Sequence, residues 1–169
     1  IITSIKVPDF NNNLIDIVLG FNDLESYLEG HPYFGAIVGR FANRIDNGSF
    51  SINNVDYNLA LNNNGTSLHG GLKGFDKVNW NVVSYDSINY SYIKLNYLSR
   101  HMEEGFPGNL NIYVTYTLNE NNELVIDYEA ETDKSTVINL TQHSYFNLSG
   151  ESSGDILDHE LQLNADAFL

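Results

Sequence analysis

Leu110-Asn111-Ile112-Tyr113-Val114-Thr115-Tyr116-Thr117-Leu118 alternates without a break, with Leu110, Ile112, Val114, Tyr116 and Leu118 on one face and Asn111, Tyr113, Thr115 and Thr117 on the other. Side chains of an extended strand point alternately to opposite faces, so this period of two predicts a strand with one side against a core. The pattern continues in both directions. Upstream, Ile93, Leu95 and Tyr97 alternate with Tyr92, Lys94, Asn96 and Leu98. Downstream, past the turn at Asn119 to Asn122, Leu124, Ile126, Tyr128 and Ala130 alternate with Val125, Asp127, Glu129 and Glu131. From Trp80 to Asp133 the chain therefore reads as a meander of antiparallel strands.

The flanking sequence agrees. Ile1 to Val7 and Ile15 to Leu19, separated by a turn over Pro8 to Asn13, read as an antiparallel pair. Ser49 to Ile52 and Val55 to Leu59 read as a hairpin closed by the two-residue Asn53-Asn54 turn. Asp23 to Glu29 predicts one or two helical turns, capped by Asn22 or Asp23 and ended by Gly30-His31-Pro32. No heptad, long amphipathic helix, βαβ alternation or phosphate-cradling glycine pattern occurs, which argues against nucleotide-binding folds. Many short strands imply an all-β sandwich or barrel.

At 169 residues, 42% of them hydrophobic and 12% aromatic, the chain is long and apolar enough for one domain with a substantial core. It opens inside a strand-like run and stops at Asn164-Ala165-Asp166-Ala167-Phe168-Leu169 without a terminating signal, so a fragment is expected. A net charge of −14, with no cluster of Lys or Arg, repels polyanions and rules against nucleic acid as a partner. The absence of cysteine excludes thiol catalysis, disulfides and thiolate metal sites. With no apolar run of membrane-spanning length and no basic-then-apolar leader at residue 1, no membrane partner is expected and the expected location is cytoplasmic.

Four places carry candidate chemistry. Val137-Ile138-Asn139-Leu140-Thr141-Gln142-His143-Ser144-Tyr145, read as a strand, sends Ile138 and Leu140 to a core and Asn139, Thr141 and His143 to a polar ligand, with the Tyr145 and Phe146 rings following. That mixture suits a sugar, although His143 also fits as a structural histidine near a strand end. In Pro32 to Ile45 two glycines break an apolar run, implying close backbone packing. Arg40 and Arg44, two of three arginines, lie there and need either acidic partners or ligand oxygens. Asn62-Asn63-Asn64-Gly65-Thr66-Ser67-Leu68-His69-Gly70-Gly71 is a loop rich in residues that tolerate left-handed backbone, with His69 at the point where the backbone comes close to something. Glu103 and Glu104, in the loop from Arg100 to Asn109, read as a solvated acidic pair, and Trp80 reads as core or interface.

Taken together, Pro32-Tyr33-Phe34-Gly35-Ala36-Ile37-Val38-Gly39-Arg40 with Ala42-Asn43-Arg44-Ile45, Ser67-Leu68-His69-Gly70-Gly71 with Gly74-Phe75-Asp76, Glu104-Gly105-Phe106-Pro107-Gly108, and Asn139 to Leu148 resemble the galactose mutarotase (aldose 1-epimerase) family in order and spacing. So does Ile156-Leu157-Asp158-His159-Glu160-Leu161, and the resemblance covers essentially the whole chain. It implies the large antiparallel β-sandwich of the galactose mutarotase-like superfamily, with residues 1–169 as the N-terminal part of a single domain whose C-terminal part is absent. It implies interconversion of the α and β anomers of free hexoses such as galactose and glucose, without metal or organic cofactor. By the same resemblance His143 is the acid that protonates the ring oxygen, and Asn43, Arg44, His69 and Tyr145 hold sugar hydroxyls. The family's base glutamate is expected beyond residue 169; Glu103, Glu104, Glu151 and Glu160 do not occupy its position. Gln142 departs from the asparagine expected beside the acid. The alternatives are a sugar-phosphate 1-epimerase of the same superfamily, for which few cations are available, and a non-catalytic carbohydrate-binding homologue.

Overall fold

The computed structural model describes residues 1–88 and 90–167. They divide into two units, Ile1–Ala36 with the chain from His143 onward, and Ile37–Gln142.

In the first unit β1 (Lys6–Pro8) pairs antiparallel with β2 (Leu14–Asp16), with Val7 opposite Ile15, so the expected N-terminal pair forms with a short ladder. Helix α1 (Leu24–Glu29) begins as predicted at Asp23, whose carboxylate accepts from the Ser26 amide at 2.8 Å, and ends at Gly30 with φ 116°. The unit is centred on buried Ile17, Val18 and Ala36 and a cluster of rings from Phe21, Tyr27, His31, Phe34 and Tyr145 with neighbouring centroids 5.1–6.5 Å apart. Gly35, at φ 60°, lets the backbone reach Ile2: its amide lies in a turn where an added Cβ would sit 1.9 Å from the Ile2 carbonyl oxygen.

The second unit holds the remaining strands: β3 (Ile37–Val38), β4 (Arg44–Asp46), β5 (Ser49–Ile52), β6 (Val55–Asn58), β7 (Thr66–Leu68), β8 (Asn81–Asp86), β9 (Ser91–Ser99), β10 (Leu110–Leu118), β11 (Leu124–Thr132) and β12 (Thr141–Gln142). Strands β11-β10-β9-β8, in that order, form the predicted antiparallel meander. Its register sets Ile112 opposite Tyr97 and Ala130, and Val114 opposite Leu95 and Tyr128, so the apolar sides of three strands share one face. On that face Leu110, Ile112 and Val114 are buried with Ile37 and Phe75, and Trp80, Leu95, Tyr97, Tyr116, Ile126, Tyr128 and Leu140 pack around them. Trp80 is thus a core-edge residue, its indole N–H donating to the Phe75 carbonyl at 3.1 Å. Strands β5 and β6 form the predicted hairpin, and Asn53 and Asn54 both take positive φ, 51° and 62°, as a twist-matched two-residue turn requires.

The stretch from Val137 to Tyr145 corrects its sequence reading. Only Thr141–Gln142 enters a ladder, with β3; Asn139 instead bridges Phe41 in parallel sense, its amide donating to Arg40 O at 3.1 Å and its carbonyl accepting from Ala42 N at 2.7 Å. This break in the pairing defeats a regular alternation: Leu140 reaches the core while Ile138 stays 42% exposed. The Asn139 side chain is not turned to a ligand either, since its amide donates to the Ala42 carbonyl at 3.0 Å.

Three tyrosines on the core face resist ionisation. Burial, then the bond and charge of Glu103, push Tyr97 up to about 12; burial pushes Tyr128 up to about 12; burial and then the neighbouring Tyr128 raise Tyr116 further. The hydroxyls of Tyr116 and Tyr128 are buried without a hydrogen-bond partner among the described residues. Unfolded tyrosine ionises near 10, so above that pH the folded state holds protons the unfolded state has released. The stabilisation is fully present below pH 10 and is lost as pH rises through about 12. The denaturation midpoint of the full-length protein should fall steadily from pH 10 upward, with part of the tyrosinate absorbance appearing only on unfolding. Ile112→Ala, at a fully buried position in the middle of β10, should cost about 2–5 kcal/mol in urea denaturation without changing the slope.

Candidate functional site

In the second unit, Asn43 and His69 bring two left-handed backbone positions together, at φ 63° and 54°. They hold each other reciprocally: the Asn43 amide donates to His69 Nδ1 at 3.0 Å, and the His69 amide donates to the Asn43 carbonyl at 3.0 Å. An Nδ1 that accepts a backbone N–H must carry its proton on Nε2 in the neutral ring, so this contact selects the tautomer. Pairing of β4 with β7 supplies the frame, with Arg44 opposite Leu68. Arg44 is exposed, and two of its donors are steered by side-chain amides: Nη1 donates to Asn43 Oδ1 and Nε to Asn63 Oδ1, both at 3.2 Å. The result is a steered fork of N–H donors on the strand that pairs with the one leading into His69, a donor set fitted to oxygen acceptors.

The close approach expected behind His69 is to the chain itself. At Gly70, φ 90°, a Cβ would lie 1.9 Å from the Gly39 carbonyl oxygen, so no larger residue fits the turn. Glu104 closes the turn from the other side, its carboxylate accepting from the Leu72 amide at 2.8 Å.

Arg40 answers the arginine question in a way the sequence did not anticipate. Its side chain is buried, and its acceptors are neither ligand oxygens nor a directly bonded carboxylate. Nη1 donates to the carbonyls of Pro107 (2.8 Å) and Gly108 (3.0 Å) and to Thr136 Oγ1 (3.4 Å). Nη2 donates to Ser99 O (3.2 Å), Ser99 Oγ (2.6 Å) and Arg100 O (3.3 Å). Ser99 Oγ in turn donates to Glu103 at 2.9 Å, so one hydroxyl separates the guanidinium from its counter-charge, and Tyr97 OH donates to the same carboxylate at 2.9 Å. Desolvation pulls the guanidinium down to about 10, opposed by Glu103, Tyr97 and Asp133, which leaves it charged at neutral pH. Glu103 and Glu104 are therefore braces of this loop rather than a solvated pair. The polar tethers from Arg40 span carbonyls that an unbranched ammonium could not reach together. Arg40→Lys should destabilise the full-length protein by about 3 kcal/mol or more, read as a fall in the denaturation midpoint.

In the first unit, His143 is half-buried and fixed by its backbone, donating from N to Ala36 O at 2.9 Å and accepting at O from Gly35 N at 3.1 Å. Its ring neighbours those of Tyr33 and Tyr145, at centroid distances of 5.5 and 5.1 Å. Tyr145 is 37% exposed and also meets Phe34 edge-on at 5.2 Å. Asn43, Arg44 and His69 thus form one cluster, and His143 with Tyr145 another. Sequence reasoning missed Tyr33, which takes a positive φ of 64° beside His143, and Asn63, which aligns Arg44. The Asn run around Asn63 was visible as loop chemistry; nothing in the pattern pointed to Tyr33.

These clusters sit on an antiparallel β framework that known sugar epimerases share. The GalM/aldose epimerase homologue from C. elegans superposes with a TM-score of 0.83 at 33% identity, covering 88% of this chain and 45% of that one. Galactose 1-epimerase from Lactobacillus acidophilus superposes with a TM-score of 0.72 at 30% identity over 79% of this chain and 40% of that one. The aldose 1-epimerase family matches residues 1–169, and the chain belongs to that family. Galactose mutarotase from Sus scrofa is 50% identical over 169 residues, 99% of this chain and 48% of that protein; the Homo sapiens protein of the same name is 47% identical over the same shares. Aldose 1-epimerase from Escherichia coli is 36% identical over 166 residues, 98% of this chain and 47% of that protein. The chain spans about half the length of the curated relatives it matches.

Proposed function

We propose that this chain is the N-terminal part of a single domain whose full-length form is an aldose 1-epimerase, interconverting the α and β anomers of free hexoses such as galactose and glucose. The observation that carries the reading is the reciprocal lock of Asn43 and His69 beside the Arg44 fork, which presents several N–H donors side by side from motifs shared with the family. In this proposal Asn43, Arg44, His69 and Tyr145 hold sugar hydroxyls, and His143 also contacts the substrate.

Ring opening transfers a proton to the ring oxygen O5 as the C1–O5 bond breaks and the O1 hydroxyl loses its proton to a base. The aldehyde turns about C1–C2, and O5 attacks its other face while both protons return. His143 serves as the acid, because an imidazole can carry a proton and release it near neutral pH. The base is a glutamate beyond residue 169. The chemistry calls for no metal or cofactor. A cytoplasmic location belongs to the same reading, as does the absence of nucleic-acid or membrane partners, which the net charge of −14 supports by repelling anionic surfaces.

A free sugar fits better than a sugar phosphate. Arg40 is committed to six protein acceptors and Arg44 is aligned by two neutral amide oxygens, which leaves no converging cations for a dianion at these positions. Polarimetry of freshly dissolved α-galactose with the full-length protein tests the reading. The parent should accelerate mutarotation, and His143→Asn should lose roughly 10²- to 10⁴-fold in kcat. Equal acceleration by both removes His143 from the mechanism, and no acceleration by the parent favours a non-catalytic carbohydrate-binding protein.

A further inference from the structure

Asn62 opens the asparagine run before His69, and the chemistry above makes no use of it. Its side-chain amide is nonetheless fully occupied: Oδ1 accepts from the Leu68 amide at 2.7 Å, while Nδ2 donates to the carbonyls of Leu68 (3.0 Å) and Gly71 (2.8 Å). Leu68 and Gly71 are the two ends of the turn that carries His69 and Gly70, itself closed by a bond from Gly71 N to Leu68 O at 3.1 Å. The three bonds from Asn62 therefore bracket His69 on both sides.

We propose that Asn62 is a positioning residue for His69, holding the imidazole in the orientation and tautomer that a sugar hydroxyl meets; the inference rests on the sugar-binding reading of His69 given above. His69 needs such support because a non-glycine residue at φ 54° is in an uncommon backbone conformation and stays there only when its surroundings hold it. Asn43 grips the ring and the amide of His69, but Asn43 itself sits at φ 63° and cannot act as a fixed anchor alone. Only a side-chain amide has one acceptor and two donors at this length, matching the one N–H and two carbonyls of the turn. Asn63, the next residue, aligns Arg44 through Nε. Two adjacent asparagines thus set the two ligand-facing groups, one through the turn backbone and the other directly.

The test uses the full-length protein with Asn62→Asp and Asn62→Ala, reading the ¹⁵N imidazole signals of His69 without sugar and the kinetics of galactose anomerisation. Asn62→Asp keeps the shape and the acceptor but sets an oxygen against two carbonyl oxygens. Its His69 signals should move from the single Nε2–H tautomer toward a mixture. KM for galactose should rise about tenfold with kcat held within about threefold, the signature of lost uniform binding. Asn62→Ala removes the bracket without the repulsion and should shift both readouts in the same direction by less, which keeps the test open if the aspartate variant fails to fold. His69 signals at wild-type positions in a folded variant overturn the proposal, whatever the protein's activity. A lowered denaturation midpoint with wild-type KM overturns it too. A parent protein without anomerase activity, but with moved imidazole signals in the variants, instead sinks the enzymatic reading and leaves the positioning role standing.

Discussion

The second unit is organised around one desolvated charge. Arg40 is 1% exposed, and a guanidinium taken out of water needs acceptors; both Nη groups find them, while Nε is buried without a hydrogen-bond partner among the described residues. Its acceptors come from both ends of the loop between β9 and β10 and from Thr136, so satisfying one side chain ties residues 99, 100, 107, 108 and 136 to a single point. Glu103, drawn toward the charge through Ser99, fixes the start of the short helical turn on which Glu104 lies, and Glu104 reaches across to the Leu72 amide. Three residues after Arg40 comes Asn43. The position of the polar cluster thus follows from where a buried cation can find oxygen atoms.

The cluster itself is built from backbone geometry more than from side-chain charge. Asn43 and His69 take conformations that most residues avoid, and each relieves the other by exchanging two hydrogen bonds. A histidine held this way has Nδ1 occupied as an acceptor, which places the proton of the neutral ring on Nε2. His143 is set differently, pinned by its backbone on both sides and with its ring against two tyrosine rings.

Local pattern carried far where an element's own residues provide the reason for it. The meander was legible because Leu110 through Leu118 alternates against a core, the hairpin because Asn53 and Asn54 accept positive φ, and α1 because Asp23 can cap it. The stretch around His143 was less legible, because Asn139 abandons a regular ladder for a parallel bridge to Phe41, and so Ile138 and Leu140 part company despite their shared parity. Strands of two or three residues such as β3 and β12 exist only through partners about a hundred positions away, so no window of sequence announces them. The acidic pair misled because loop geometry, not pattern, decides its partners: Glu103 turns back to nearby Ser99 and Tyr97, and Glu104 reaches Leu72, 32 positions away.

Alternation and turn chemistry, local properties of the chain, determined an antiparallel β protein; the resemblance of its motifs pointed to the aldose 1-epimerase family and, with it, to Asn43, Arg44, His69, His143 and Tyr145. Tertiary structure decided that Arg40 is a structural cation, that Glu103 and Glu104 brace a loop, and that His69 carries its proton on Nε2. Apart from the local partners of Glu103, these depend on hydrogen bonds between residues far apart in sequence, 67 positions for Arg40 to Pro107, 32 for Leu72 to Glu104 and 26 for Asn43 to His69, and such partners meet only once the chain has folded.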